Sequence, residues 1–367
     1  MQHDLHILIF CKTFLKGGAE KQALILARLF SENGYNVTLA NWCKERIDPD
    51  NRTFIENCSI QYVGLEGSPV NKIRRLNKII RKSERPVIFS YLTLANFVTG
   101  ILKLLNKKLV AVGGVRSEQL PFQKLIFERL VHNHLNSVTV FNNFSAKSRM
   151  EKRGFNSDKI RVIHNAIQVP QFSKPPARGD MITIITVSRF VKSKDFYTAL
   201  YAYKRLVQDN PGRIIRYRIV GYGYHETAIR TLVNTLDLVS NVELLIRPKG
   251  IYAILKDADI YLSTSIYEGL SNSIMEAMAA GLPIVATDVG DNRYLVQDDF
   301  NGYLVKSKDT DAIVSKLQYL ADNEQLRVEF GNNSYRKISG EFSEQKLFGS
   351  YIELLSDLTG ENMGIGN

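Results

Sequence analysis

Two carboxylates eight positions apart, Glu268 and Glu276, stand in the stretch YEGLSNSIMEAMAAGLPIVATDVG (267–290), with a Gly-Leu-Ser-Asn-Ser run between them. Carboxylates accept hydrogen bonds from sugar and ribose hydroxyls, and successive backbone N–H groups at a helix N-terminus receive an anion. Gly269, Leu270, Ser271 and Asn272 are placed to supply such N–H groups, with Glu268 in the loop after the strand IYLSTS and Glu276 in the first turn of the next helix. Ser273-Ile274-Met275-Glu276 also has the S-x-x-E form of a capping box. That gives Glu276 a structural reason and leaves Glu268 without one.

Cations follow an earlier strand. TVSRFVKSKDF places Arg189 just past the strand end and Lys194 near the start of the next helix. A guanidinium fork and an ammonium point charge beside a helix N-terminus suit a diphosphate; the plain alternative is a solvated turn. In CKTFLKGGAEK, Gly17 and Gly18 precede a helix and let backbone N–H groups approach a phosphate or sugar, unless they only make a tight turn needing positive φ. Gly221 and Gly223 in RYRIVGYGYHE thin another strand-to-helix turn. No G-x-G-x-x-G follows any predicted strand, so a nicotinamide or flavin reading loses its main support. Hydroxyl acceptors, cations and N–H donors together match the groups of a nucleotide sugar.

The elements that must hold these residues are short β-branched runs alternating with amphipathic helices. HILIFC, YNVTLA, SIQYVG, PVIFSYL, KLVAVGGV and SVTVFNN come first; ITIITVSR, RYRIVG, VELLI, IYLSTS and PIVATD follow. Strands separated by helices indicate parallel β-α-β construction. QVPQFSKPPARGDM (168–181), with three prolines and no apolar period, reads as a linker. The expectation is an N-terminal domain over 1–172 and a C-terminal domain over 173–342, with the helix 343–358 crossing back onto the first. Both are doubly wound α/β domains, and ligands of such sheets bind beyond the carboxyl ends of the strands, so two of them facing each other make a cleft.

A chain of 367 residues, 44% hydrophobic and 23% charged, has room for two real cores. The net charge of +11 is uneven: residues 1–178 carry 28 Lys+Arg against 13 Asp+Glu, a balance of +15, and the remainder carries 20 against 24, a balance of −4. The densest basic stretch, VNKIRRLNKIIRKSERP (70–86), spaces Ile73, Leu76, Ile79 and Ile80 as one helical stripe and puts Arg74, Arg75, Lys78, Arg81 and Lys82 on other faces. Such a helix can lie on an anionic bilayer; the alternative is a solvated helix packed by its apolar stripe. No apolar run is long enough to span a membrane, and an acid stands where a signal peptide would be basic, which points to a cytoplasmic protein, with peripheral membrane contact through the basic stretch. Cys11, Cys43 and Cys58 have no metal-binding spacing and read as buried thiols. Asp257-Ala258-Asp259 has a D-x-D form but straddles a helix-to-strand junction, and His132 and His134 diverge, so no metal is assigned.

The stretch EGLSNSIMEAMAAGLPIVATD (268–288) resembles the E-x7-E signature of retaining glycosyltransferases of family 4, which have the GT-B fold of two Rossmann-like domains facing a cleft. Gly17-Gly18-Ala19-Glu20, Arg189 and Lys194, Ile219-Val220-Gly221-x-Gly223 and Ala258-Asp259 match in chain order. The resemblance implies a metal-independent transferase without a cofactor, moving a hexosyl unit from a nucleotide sugar, UDP-linked by expectation, to a glycan or lipid-linked acceptor in cell-surface polysaccharide or lipopolysaccharide biosynthesis. It implies that Glu268 faces the donor sugar, Glu276 holds the ribose hydroxyls, and Arg189 with Lys194 neutralises the leaving diphosphate. Relatives often carry a histidine at the end of a first-domain strand; here the loops read SYLTLANF (90–97) and GGVRSEQL (113–120), and Asn96, Arg116 and Ser117 are the candidates for the acceptor side. Where relatives often have Phe-x-Gly, this chain has Arg247, Pro248 and Lys249, which makes Arg247 the candidate near the nucleobase. Competing readings are a GT-B-like sugar-nucleotide epimerase and, from the +15 half, a nucleic-acid-binding protein, although no recognised nucleic-acid motif is present.

Overall fold

The computed structural model describes residues 5–58, 60–115, 121–171 and 181–360. The chain divides into two compact units, 1–166 with 344–367, and 167–343. Of the stretch read as a linker, 172–180 lie outside the described residues.

In the first unit the apolar runs form parallel strands β1 (Leu5–Cys11), β2 (Asn36–Asn41), β3 (Gln61–Gly64), β4 (Arg85–Tyr91), β5 (Val110–Val115), β6 (Val138–Phe141) and β7 (Ile160–Val162). Between them run α1 (Gly18–Glu32), α2 (Pro49–Asn57), α3 (Pro69–Ile80), α4 (Thr93–Leu105), α5 (Phe122–Leu130) and α6 (Phe144–Glu151), with a π-helical turn at Val131–Leu135 after α5. The sheet order is β3-β2-β1-β4-β5-β6-β7. Strands buried on both faces explain the near-continuous Val/Ile/Leu/Phe runs. Helix starts follow local chemistry: Asp48 and Ser68 cap α2 and α3 by accepting from Asp50 and Asn71 N–H, each followed by a proline in the first turn.

The second unit repeats the pattern with β8 (Ile182–Arg189), β9 (Ile215–Tyr222), β10 (Val242–Ile246), β11 (Ile260–Ser263), β12 (Ile284–Thr287) and β13 (Gly302–Val305), in the order β10-β9-β8-β11-β12-β13. Its helices are α7 (Phe196–Asp209), α8 (Glu226–Thr235), α9 (Ile251–Lys256), α10 (Asn272–Ala279), α11 (Asn292–Leu295), α12 (Thr310–Asp322) and α13 (Glu324–Glu341). The last helix, α14 (Glu344–Thr359), belongs to the first unit, where Leu347, Phe348, Tyr351, Ile352 and Leu355 join the core of β1, β4 and α1. Phe348 meets Phe30 edge to face and Arg28 pairs with Glu344.

The order 3-2-1-4 in each sheet reverses winding direction at one place, between β1 and β4 and between β8 and β11. Loops after those strands are where a doubly wound sheet holds ligands.

The basic stretch is a helix, but α3 is not free to insert its apolar stripe. Leu76 and Ile80 are buried, and Ile73 and Ile79 pack on the cluster formed with α4 and the sheet. Arg74, Arg75 and Lys78 are exposed on α3, while Arg81 and Lys82 lie past its last turn. Insertion of α3's own apolar face into a bilayer is therefore corrected: its charges remain available and its stripe does not. Among the described residues no helix is long and apolar enough to cross a membrane.

Candidate active site

Glu268 and Lys194 leave the two strands that flank the switch point of the second unit. β8 runs out through Arg189 into a single 3-10 turn (Lys192–Lys194), and Asp195, in left-handed conformation with φ 46°, starts α7 and caps it through its carboxylate to Thr198. β11 runs out through Thr264 and Ser265 toward Glu268. Backbone and hydroxyl bonds tie the two loops: Ile266 N–H donates to Ser193 O at 2.9 Å, and Thr264 Oγ1 donates to Lys194 O and Asp195 O, each at 3.0 Å. On this frame Lys194 Nζ pairs with Glu268 Oε1, which also accepts from Ser265 Oγ at 2.7 Å. Their side chains are 14% and 12% exposed. A pair this enclosed is held by geometry, unlike an exposed surface pair.

Gly290 closes the other side. It has φ 57°, a Cβ there would strike the Glu268 carbonyl, and Asp291 N–H donates to Gly269 O at 3.1 Å. The turn after β12 therefore lies against the Glu268 loop, and only glycine permits it. The spacing of the sequence carries no signal for this residue.

The capping box is corrected. α10 begins at Asn272 with Ser271 as its cap residue in extended conformation, and no side chain bonds the cap position. Ser273 is inside the first turn and donates instead to Tyr261, whose hydroxyl donates to Val187 O at 3.0 Å. Burial pushes that phenol's pKa up, so it stays a neutral donor linking β8, β11 and α10. Glu276 is the fifth helical residue, two positions further in than the motif implies. Leu270 and Ser271 are buried, and Gly269, Glu268 and Glu276 are half-buried.

Arg189 is exposed at the end of β8. Gly221, at the end of β9, has φ 154°, and a Cβ would strike the Ser188 carbonyl of β8. Arg247 N–H donates to Gly221 O at 3.1 Å, and the Arg247 guanidinium lies 4.9 Å from the Tyr222 ring centroid, a cation–π contact on the half-exposed phenol. Tyr222 was absent from the sequence reading.

In the first unit, Gly17 caps α1 with an extended backbone, φ −164°, so the tight turn with positive φ is not what it serves. It leaves room for the Glu20 carboxylate, which folds against it within reach of Thr13 Oγ1. Gly18 is the first residue of α1. Asn96, the acceptor-side candidate, is fully buried: Oδ1 accepts from Ser90 Oγ and Gly114 N–H, and Nδ2 donates to Gly114 O and both Glu128 oxygens. It is a bracket between β4, β5 and α5, which corrects its assignment to acceptor contact. Burial raises the pKa of Glu128, opposed by hydrogen bonds from Asn96 and Thr93. Above this bracket Leu92 has φ 72°, a conformation costly outside glycine. Arg116 and Ser117 lie outside the described residues.

Asp257 accepts from Arg218 at 2.6 Å and Asp259 from Thr183 N–H at 2.8 Å, so each carboxylate of the D-x-D has a structural partner. His132 is buried between Thr139 Oγ1 and Asn156 O.

Two doubly wound parallel sheets of this order, with helices on both faces, are the GT-B architecture. The UDP complex of Alr3699/HepE from Anabaena superposes with a TM-score of 0.83 at 17% identity, over 96% of this chain and 100% of that one. Residues 169–337 match the family described as glycosyl transferases group 1. Among curated relatives, the colanic acid biosynthesis glycosyltransferase WcaL of Escherichia coli K12 is 30% identical over 57% of this chain and 54% of its own length. The UDP-Gal:alpha-D-GlcNAc-diphosphoundecaprenol alpha-1,3-galactosyltransferase of Escherichia coli is 26% identical over 54% of each chain. The chain thus spans about half the length of the curated relatives it matches.

Proposed function

We propose that this protein transfers a hexosyl unit, with retention, from a UDP-sugar to a glycan or lipid-linked acceptor in cell-surface polysaccharide or lipopolysaccharide assembly. The observation that carries the reading is the enclosed Lys194–Glu268 pair at the switch point, framed by Arg189 and by the Gly269–Asn272 run into α10. Lys194 and Arg189 receive the diphosphate, whose leaving oxygen gains charge in the transition state; single contacts of that kind are typically worth about 2.7–4 kcal/mol. Glu268 faces the sugar, Glu276 the ribose hydroxyls, and the Tyr222–Arg247 pair the base. Within the first unit, Gly17 and Gly18 at the start of α1 offer backbone N–H groups to a phosphate or sugar. A UDP complex of one structural neighbour, a UDP-glucose complex of the same protein and the lipid-linked acceptor in a relative's name support the substrate class. The +15 half of the chain supports peripheral contact of the first unit with an anionic membrane.

The test is sugar release from UDP-glucose, UDP-galactose and UDP-N-acetylglucosamine by the whole protein, with Glu276→Ala beside it. Slow hydrolysis of one donor, lost in the variant while its far-UV spectrum is unchanged, is the expected result. Turnover of none of them, together with no melting shift from UDP, would overturn the reading.

A further inference from the structure

Most of the exposed large apolar residues described in the first unit gather on two neighbouring helices, Val70, Leu92 and Phe144 lying apart from them. Phe97, Leu104 and Leu105 on α4 and Phe122, Phe127 and Leu130 on α5 are all exposed, Phe122 by 76%, Leu104 by 67% and Phe127 by 54%. Phe97 and Phe127 meet edge to face at 6.3 Å, which joins the two helices' outer faces into one surface. On α4 Phe97 and Leu104, seven residues apart, lie on one stripe that faces away from Ala95 and Leu102 in the core, and Leu105 is exposed at the last turn beside it. Contiguous apolar surface of this kind on a folded unit marks a contact site.

Cations surround it. Lys107 and Lys108 sit in the turn after α4, and Lys124 and Arg129 project from α5. From residue 97 to 130 the acids are Glu118, outside the described residues, and Glu128, which is buried in the Asn96 bracket. On the other side of α4 lies α3, packed against it through Ile73, Leu76 and Ile80, with Arg74, Arg75 and Lys78 outward.

We propose that the outer face of α4 and α5 is a membrane-docking surface, with the phenylalanines and leucines in the acyl boundary and the flanking cations on anionic headgroups. An anionic bilayer supplies apolar and acidic partners at once. A second copy of the chain fits worse, because a two-fold contact through this face sets its cations against themselves. The proposal extends the peripheral contact described above by naming the surface that makes it, and moves the anchor from α3 to its neighbours.

The experiment is flotation of the whole protein with vesicles of phosphatidylglycerol and phosphatidylethanolamine in about equal parts, against vesicles of phosphatidylcholine alone. The wild type should float with the first and not with the second. Leu104→Ser with Phe122→Ser and Phe127→Ser should weaken partitioning about a hundredfold, taking roughly fivefold per anchor. Lys107→Gln with Lys108→Gln should weaken it about 25-fold, at roughly fivefold per charge. Circular dichroism confirms folding, and the charge variant stands alone if the apolar one misfolds. No flotation of the wild type at low salt overturns both the surface and the membrane contact, leaving the donor chemistry to its own assay. Flotation lost in Arg74→Gln with Arg75→Gln and Lys78→Gln but kept in both α4–α5 variants overturns this surface alone. A wild-type dimer that the apolar variant converts to monomer, or an acidic protein captured in place of vesicles, also overturns it.

Discussion

Replacing Lys194 by methionine keeps the stem of the side chain and removes its charge. Glu268 is then left 12% exposed with the Ser265 hydroxyl at 2.7 Å as the hydrogen bond that remains from its loop. Losing one partner of a fully buried pair typically costs about 3–5 kcal/mol. Here both side chains keep some solvent contact and one hydrogen bond survives, so about 2–3 kcal/mol is the appropriate scale. In a unit the size of 167–343, with about 2–4 °C per kcal/mol, the melting temperature should fall by about 4–12 °C. Lys194→Met with Glu268→Gln should recover much of that loss, because no uncompensated charge is left. The second readout is UDP. At 100 times its dissociation constant a ligand adds about 2.7 kcal/mol, and losing one charge-assisted contact of about 1.5–3 kcal/mol weakens binding roughly 10- to 150-fold. The UDP-induced shift measured by differential scanning fluorimetry should therefore fall to between about half and about a tenth of its wild-type size in Lys194→Met at the same UDP concentration. A variant that melts within about 1 °C of wild type and keeps its full UDP shift would refute both steps, and Lys194 would be a screened surface charge.

Gly290→Ala places a methyl against the Glu268 carbonyl at φ 57°. It should cost about 1–3 kcal/mol of stability and weaken UDP binding as well; an alanine variant equal to wild type in both would show that the turn after β12 does not position Glu268. Glu128→Gln tests the bracket in the first unit. Burial raises the Glu128 pKa above its ordinary 4.5, so its protonated form is the one folding favours. That stability is fully present below pH 4.5 and is lost as pH rises through the raised folded value. At pH 7.5 the glutamine variant should melt higher than wild type, and melting scans between pH 4.5 and 7.5 should show a flatter profile for it. A lower melting temperature at every pH would mean that Asn96 and Thr93 more than offset the burial of the charge.

Where periodicity was long, the sequence was enough. Strands such as ITIITVSR and HILIFC, and the α3 stripe, announced themselves because burial on both faces or one stripe fixes residue type over many positions. β7 and β13, at three and four residues, escaped: IRV and GYLV are too short to show a period, and both lie at sheet edges. The Ser273–Glu276 spacing was real but was claimed by tertiary structure. A buried phenol at Tyr261 needs a donor, and Ser273 supplies it from inside the helix. Asn96 looked like a loop residue because the strand before it ended in SYLTL. In fact α4 starts at Thr93, which turns Asn96 inward over Gly114. Gly290 was invisible for another reason: its constraint is the carbonyl of Glu268, a neighbour made only by the fold.

The two loops at the second switch point are joined by their backbones before their charges meet. Ile266 to Ser193 and Thr264 to Lys194 and Asp195 are bonds that involve no ionised atom. The Lys194–Glu268 pair can therefore open without loosening the frame, since a change of lysine rotamer carries Nζ from one anion to another while its Cα stays fixed. A diphosphate entering beside Arg189 would offer that ammonium a second, doubly charged partner, and Glu268 would be released toward the hydroxyls of the attached sugar. Binding then costs little reorganisation of the protein, which is the condition under which fixed charges stabilise a developing leaving group most effectively.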